Sequence, residues 1–225
     1  MLNKNSFYHL HIPKTGGETL NLFFTNNLVD YFIKNKIEYQ IEGHFGLKPI
    51  NKKTYTVTCF RDPIKRLVSH YCFMNLLNKK TNLDKEAKDF LLWFDDNKTI
   101  LSNYQSKNLF YDSTDEYEPL ILSGCSSKLS LKRFNLDDVK MNLSNIDIIL
   151  KTETINSVKL SSVGEKILKD FNLELKAPFN ISKEYRNSNP PSRILLSKLS
   201  KTDILYLEQE NLIDFEIYNT NSLFF

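Results

Sequence analysis

His11-Ile12-Pro13-Lys14-Thr15-Gly16-Gly17-Glu18-Thr19-Leu20 follows a short β-prone run, residues 7–12, and opens a segment, residues 18–35, where Leu20, Phe23, Phe24, Leu28, Tyr31 and Phe32 recur at helical spacing. A glycine-containing turn between a strand and a helix has the outline of a phosphate cradle. Two adjacent glycines let backbone N–H groups turn inward, and the helix start adds the positive end of its dipole. Lys14 supplies a full charge. The pattern differs from the nucleoside-triphosphatase loop, Gly-x-x-x-x-Gly-Lys-Ser/Thr, because here the lysine precedes the glycines. The loop therefore predicts an anion and leaves its identity open.

A second stretch narrows that identity. Residues 55–60, Tyr-Thr-Val-Thr-Cys-Phe, read as a buried strand, and Arg61-Asp62-Pro63-Ile64-Lys65-Arg66-Leu67-Val68-Ser69-His70-Tyr71 follows at once. Pro63 is a helix-start signal, so Arg61 falls at the carboxyl end of a strand, the edge at which open α/β sheets bind ligands. Ser69 lies roughly two helical turns further on. An arginine fork and a hydroxyl can share one phosphate.

These motifs are similar to those of sulfotransferases that use 3′-phosphoadenosine 5′-phosphosulfate (PAPS). Pro13-Lys14-Thr15-Gly16-Gly17 resembles their 5′-phosphosulfate loop, and Arg61-Asp62-Pro63 with Arg66 and Ser69 resembles their 3′-phosphate motif. The closer likeness is to the carbohydrate sulfotransferase branch that includes heparan sulfate 2-O-sulfotransferases and many bacterial relatives, whose donor loop often reads HIPKTGGTS. Weaker likeness continues through Glu42-Gly43-His44-Phe45, where that family places its catalytic base, Asn103-Tyr104-Gln105-Ser106, and Ile149-Leu150-Lys151-Thr152-Glu153. Tyr185-Arg186-Asn187-Ser188-Asn189-Pro190-Pro191 resembles the late loop that closes over the nucleotide. One departure is Glu18, where a Thr or another donor is common. A carboxylate beside a phosphosulfate is unfavourable, so Glu18 is expected to contribute its backbone N–H while its side chain faces solvent or the helix start.

The resemblance implies a PAPS-dependent sulfotransferase acting on a hydroxyl of a glycan or saccharide-containing acceptor, with adenosine 3′,5′-bisphosphate as product and no metal. The main-chain N–H groups of Thr15, Gly16 and Gly17 would hold the 5′-phosphate, Thr19 would add a hydroxyl bond, and Arg61 with Ser69 would bind the 3′-phosphate, with Arg186 reaching it from the late loop. Lys14 would lie near the bridging oxygen where leaving-group charge develops. A histidine, with an ordinary pKa of about 6.5, suits the role of base for the attacking hydroxyl. His44 is the favoured base, with Glu42 as its alternative; His9 and His11 fall in the first strand and His70 inside a helix. Arg66 either contacts the nucleotide or pairs with Asp62 one turn earlier. Trp93, with Phe90 and Phe94, reads as core.

Beyond the motifs, helical patterns over residues 62–78, 83–95 and 100–110 suggest a helical insertion. A strand is expected over 146–151, helices over 157–171, 192–199 and 202–218, and a loop over 177–191. Strand and helix alternation predicts an α/β fold, a P-loop-like three-layer α/β/α arrangement with a central, mainly parallel sheet. With 225 residues and no Pro/Gly/Ser-rich linker or repeat, one domain spanning 1–225 is expected.

A formal charge of +3 without a long basic run disfavours nucleic acid as partner, while Lys52-Lys53, Lys79-Lys80 or Lys132-Arg133 beside a cleft would steer an acidic glycan. Cys59, Cys72 and Cys125 show no metal or redox spacing, which fits reduced thiols in a cytoplasm. No apolar run approaches the ~20 residues needed to span a bilayer, and no targeting segment precedes the first strand. A soluble bacterial or viral enzyme is the expectation. Two other classes stay open: an ATP-dependent phosphotransferase, which predicts a lysine after the glycines and a magnesium-binding carboxylate, and a catalytically silent nucleotide- or glycan-binding relative.

Overall fold

Alternate residues of the first strand bury on opposite sides: Phe7 packs into one hydrophobic cluster, and Tyr8, Leu10 and Ile12 into another. A strand buried on both faces needs a layer of helices on each side. The computed structural model describes residues 4–41, 53–75, 83–110, 120–122, 125–127, 134–180 and 190–225. Its central sheet contains β1 (Ser6–Leu10), β2 (Glu38–Gln40), β3 (Thr54–Phe60) and β6 (Ile148–Lys151) in the order β2-β1-β3-β6. All three pairings are parallel, with Ser6 opposite both Glu38 and Thr54, and Val57 opposite Ile148. A separate antiparallel pair joins β4 (Leu120–Leu122) to β5 (Cys125–Ser127).

One face of the sheet is covered by α1 (Gly17–Asn27), α2 (Val29–Lys34) and α8 (Ser157–Asp170). Their Leu20, Phe23, Phe24, Phe32, Val163 and Ile167 pack on Phe7, Tyr55, Val57 and Leu150, with Phe7 and Phe24 edge-to-face at 5.1 Å between centroids. The other face carries α3 (Pro63–Met74), α4 (Leu83–Asp96), α5 (Lys98–Leu101), α6 (Tyr104–Lys107), α7 (Leu136–Leu143), α9 (Pro190–Lys198), α10 (Lys201–Glu210) and α11 (Leu212–Asn219). The result is the expected three-layer α/β/α fold around a parallel sheet. The helical insertion, α4 to α6, lies in the long crossover from β3 to β6.

Three helical expectations are corrected, each at a buried or half-buried residue that diverts the chain. The pattern over 18–35 divides at Leu28 into α1 and α2, where the Asn27 side chain donates to the Phe23 carbonyl (2.9 Å) and brackets both backbone groups of Asn180. The stretch 100–110 breaks at Asn103, which adopts a left-handed φ of 49°, and 202–218 breaks at Asn211. Asn103 caps the helix that follows Asn211, and Asn211 in turn holds the Asn103 backbone. The Asn103 carboxamide oxygen accepts from the N–H groups of Ile213 and Asp214, and that of Asn211 accepts from the Asn103 N–H (3.0 Å). Local side-chain bonds of this kind compete with helix continuation. The expected loop over 177–191 also gives way to helix at Pro190, within the first turn where proline is tolerated.

β1 connects to β2 through helices on one face, whereas β3 connects to β6 through helices on the other. Sheet order therefore reverses direction between β1 and β3. In open parallel sheets that reversal leaves a crevice at the carboxyl ends of the strands, the usual place for a ligand. Both motifs identified in the sequence sit at that end.

Candidate functional site

The chain leaves β1 at Leu10 and turns through Lys14 (φ 67°) and Gly16 (φ 85°, ψ 14°), with Thr15 between them outside the left-handed region. Alternation of right- and left-handed residues is the conformation that gathers successive N–H groups into an anion-binding concavity. Gly16 is the N-cap of α1 and makes no side-chain capping bond, so the N–H groups of the first turn have no acceptor within the helix. Gly17 begins the helix directly over the His11 imidazole: a Cβ there would lie 1.8 Å from His11 Cδ2. Glycine is thus required at both positions, at Gly16 for its conformation and at Gly17 for its approach to a ring.

The side chains of this loop divide into structural and outward-facing ones. Thr15 is fully buried, and its hydroxyl donates to the Ile12 carbonyl at 2.8 Å, the same carbonyl its N–H reaches at 3.4 Å. Glu18 is exposed in the first turn, as its charge requires, and Thr19 is half-buried beside it. The Lys14 ammonium stands over the Phe73 ring, 4.0 Å from the centroid. Beneath the loop, His9 and His11 stack at 5.5 Å, and the Asn21 side chain lies 2.5 Å from His9 Nδ1 and 3.4 Å from His11 Nδ1. These two histidines are buried supports of the loop.

One strand over, β3 ends at Phe60 and Arg61 begins the turn into α3. Asp62 is the N-cap, accepting from the Lys65 N–H at 2.9 Å, and Pro63 occupies the first helical position. The Gln105 carboxamide clamps the backbone of Arg61 from α6: its oxygen accepts from the Arg61 N–H and its nitrogen donates to the Arg61 carbonyl, both at 2.8 Å. From this fixed backbone, Arg61 Nη1 donates to the Lys14 carbonyl at 3.2 Å. The two motifs, 47 residues apart, are therefore in contact.

Arg66 does not pair with Asp62. Asp62 spends its side chain on the helix cap, and the Arg66 guanidinium, 1% exposed, stacks 3.6 Å from the Tyr104 ring centroid. Its Nε donates to the Pro13 carbonyl at 3.3 Å and its Nη2 meets His70 Nδ1 at 2.8 Å. Burial pushes Arg66 down to about 10, and burial lowers Arg61 as well. Among the described residues, Arg61 Nε and Arg66 Nη1 are buried donors without an acceptor. Two desolvated cations, each with an unused N–H, face a loop whose own N–H groups are gathered for an anion.

Behind Arg61 and Arg66 lies a buried polar layer. Asp214 of α11, 1% exposed, accepts from the N–H groups of Gln105 (3.0 Å) and Ser106 (2.8 Å) and from the Ser106 hydroxyl (2.5 Å). Burial raises its carboxyl pKa. Lys107 donates to the carbonyls of Thr99 and Ile100, and burial pushes its ammonium down to about 8. The segment 103–106, where weaker resemblance continues, is bonded to Arg61 through Gln105 and to Asp214. It positions Arg61.

Ser69 is buried on α3, eight residues beyond Arg61. His44, Glu42 and Arg186 lie outside the described residues. Reading the sequence left three further residues without a role: Gln105, His11 under Gly17, and Thr152 at the end of β6. The Thr152 hydroxyl donates to the Thr15 carbonyl, with the Phe60 carbonyl at 3.1 Å, so it ties β6, β3 and the loop together. Glu153, next in line, accepts from the Tyr218 hydroxyl at 2.9 Å and from the Asp62 N–H at 3.4 Å. No local pattern reveals these roles, since each depends on which strand ends are neighbours.

Among the described residues no group of three or more His, Cys, Asp or Glu side chains is placed to hold a metal ion, and no helix is long and apolar enough to cross a membrane. Cys59 and Cys72 are buried free thiols, and burial pushes them up to about 12 and about 11. Phe90 and Phe94 are fully buried, with Trp93 packed against them as core. No protein-family model matches the chain, and no curated protein matches it.

Proposed function

We propose that the chain is a PAPS-dependent sulfotransferase that transfers a sulfuryl group to a hydroxyl of a glycan or saccharide-containing acceptor. The observation that carries the reading is the Arg61–Lys14 contact at the β1/β3 reversal, which sets a side-chain anion site beside a backbone one. A nucleotide with phosphates at both ends of its ribose needs two such sites close together. The donor set fits that polyanion: left-handed Lys14 and Gly16, the N-terminus of α1, and buried guanidinium donors at Arg61 and Arg66 that lack acceptors.

PAPS supplies the sulfuryl group, and adenosine 3′,5′-bisphosphate is the other product. In this proposal the N–H groups of Thr15, Gly16 and Gly17 hold the 5′-phosphate, Thr19 adds a hydroxyl, and Arg61 and Ser69 hold the 3′-phosphate. Arg186 supports the same phosphate from the late loop. Lys14 stabilises the charge that grows on the leaving oxygen as its bond to sulfur breaks, and His44 takes the proton from the acceptor oxygen as the new bond to sulfur forms. Positioning and charge stabilisation do most of the work.

Calorimetry in the absence of metal tests the donor site, comparing adenosine 3′,5′-bisphosphate with AMP and ATP. The bisphosphate is expected to bind tightest, and Arg61→Ala to lose about 10- to 100-fold in its affinity while AMP binding changes less. Transfer from PAPS is expected to vanish in His44→Ala with bisphosphate binding retained. Binding that ignores the 3′-phosphate sinks the assignment, and a preference for ATP with magnesium favours a phosphotransferase.

A further inference from the structure

Three consecutive carbonyls of the loop are each held by a side chain from elsewhere in the fold. Arg66 Nε holds Pro13, Arg61 Nη1 holds Lys14, and the Thr152 hydroxyl holds Thr15. The peptide bonds of the described chain are trans, so the N–H that shares a peptide plane with a pinned carbonyl points the opposite way. Pinning Thr15 C=O therefore fixes the direction of the Gly16 N–H.

Several features make Thr152 the decisive clamp. The Thr15 N–H is engaged by a long bond of 3.4 Å back to the Ile12 carbonyl, so the next N–H along the chain is that of the peptide whose carbonyl Thr152 holds. Gly16 packs closely on Thr152, whose Cγ2 would stand 3.3 Å from a Cβ at that position. Gly16, at φ 85°, has no side chain of its own to fix its plane, and Thr152 supplies a hydrogen bond to the preceding carbonyl and a wall. Its single hydroxyl proton goes to the Thr15 carbonyl, which is nearer than the Phe60 carbonyl at 3.1 Å or Cys59 Sγ at 3.4 Å.

We propose that Thr152 is a positioning residue for anion recognition: its hydroxyl pins the Thr15 carbonyl and so aims the Gly16 N–H at the ligand's 5′-phosphate. The inference rests on the donor-binding reading for the ligand's identity, but it concerns any 5′-phosphate held by this loop. It assigns the carboxyl end of β6 to the 5′ half of the site. Arg61 serves both halves, since the same guanidinium holds Lys14 C=O and faces the 3′-phosphate.

The test compares the native chain with Thr152→Val, which keeps the shape and removes the hydroxyl, and with Thr152→Ser, which keeps the hydroxyl. Calorimetry with AMP, 3′-AMP and adenosine 3′,5′-bisphosphate is expected to show about tenfold weaker binding of AMP and the bisphosphate to Thr152→Val, with 3′-AMP unchanged and Thr152→Ser close to native. Native AMP affinity in Thr152→Val, or equal losses for AMP and 3′-AMP, would overturn the assignment. A second measurement needs no variant: the Gly16 amide resonance of the native chain is expected to shift on titration with AMP, and its failure to move would overturn the proposal as well. If AMP and the bisphosphate bind the native chain equally, the donor reading fails while the Thr152 test still runs on AMP. If neither binds, both fall.

Discussion

The loop after β1 and the turn after β3 both face an anion in this proposal, and the molecule builds them by different means. Residues 13–17 offer backbone N–H groups and are fixed by close contact as well as by hydrogen bonds: Gly17 rests on the His11 ring and Gly16 on the Thr152 methyl, while Arg66, Arg61 and Thr152 hold the three carbonyls of residues 13–15. Arg61 offers a side chain and is held by polarity: Gln105 brackets its backbone, and the buried Asp214 carboxylate accepts from the N–H groups of Gln105 and Ser106 behind it. Backbone donors need fixed φ and ψ, which close packing and the held carbonyls supply. A guanidinium needs a fixed anchor and some freedom at its tip, which a hydrogen-bonded anchor supplies. The loop is therefore expected to break through sterics, and the turn to respond to pH.

The sharpest break is at Gly17. In Gly17→Ala the new Cβ meets His11 Cδ2 at 1.8 Å and Nε2 at 2.0 Å, and the imidazole is buried with no room to retreat. Chemical denaturation is expected to show a loss of about 3 kcal/mol or more. Adding His11→Ala is expected to return part of that loss, because the clash is with the ring alone. At the turn the matching change is milder: Asp62→Ala removes one N-cap bond and is expected to cost about 1 kcal/mol. If the two single variants lose equal stability, the contrast between the two supports fails.

The buried layer behind the turn sharpens the same comparison through pH. Lys107 titrates at about 8 in the folded chain instead of 10.5, because burial disfavours its charged form, so between those values the unfolded chain binds more protons. Stability then rises with pH across that window. From pH 7.5 to 9.5 the native chain is expected to gain about 2 kcal/mol relative to Lys107→Met, whose curve lacks this contribution. Denaturation curves across the range check it, and parallel curves for the two proteins exclude it. The layer under α1 and α8 gives the opposite slope: burial holds the Cys59 thiol up at about 12, so above its ordinary value of 9.0 this group's contribution to stability falls as pH rises.

The strands β1, β3 and β6, the glycine loop and the Arg61 turn were legible in the sequence because each is announced by local chemistry: β-prone runs, paired glycines, Asp-Pro at a helix start. The pair β4 and β5 and the helix α7 were not expected, although Asn135 and Asp138 form a capping box at the start of α7. What stayed hidden depends on distant neighbours. Asn103 and Asn211 interrupt helices where each side chain bonds the backbone at the other's turn, across 108 residues or more. Gln105 and Thr152 are ordinary polar residues until the sheet order β1-β3-β6 brings Arg61 and the loop within their reach. Gly17 announced flexibility, whereas its use is to admit an imidazole six residues earlier.

The smallest effect tests the departure from the resembling family. Glu18 is exposed at the first turn of α1, where its carboxylate favours the helix dipole and opposes a bound anion. Glu18→Gln is expected to cost about 0.3 kcal/mol of stability, the lower end of such dipole effects. It is also expected to tighten bisphosphate binding about twofold at low ionic strength, since a unit charge about 10 Å away in water-like surroundings contributes little. Salt decides the cause. Screening at physiological ionic strength should erase most of the gain if the carboxylate acts through space. A gain that persists in salt means that Glu18 touches the ligand site directly, and the loop is then less purely a backbone device than the turn comparison holds.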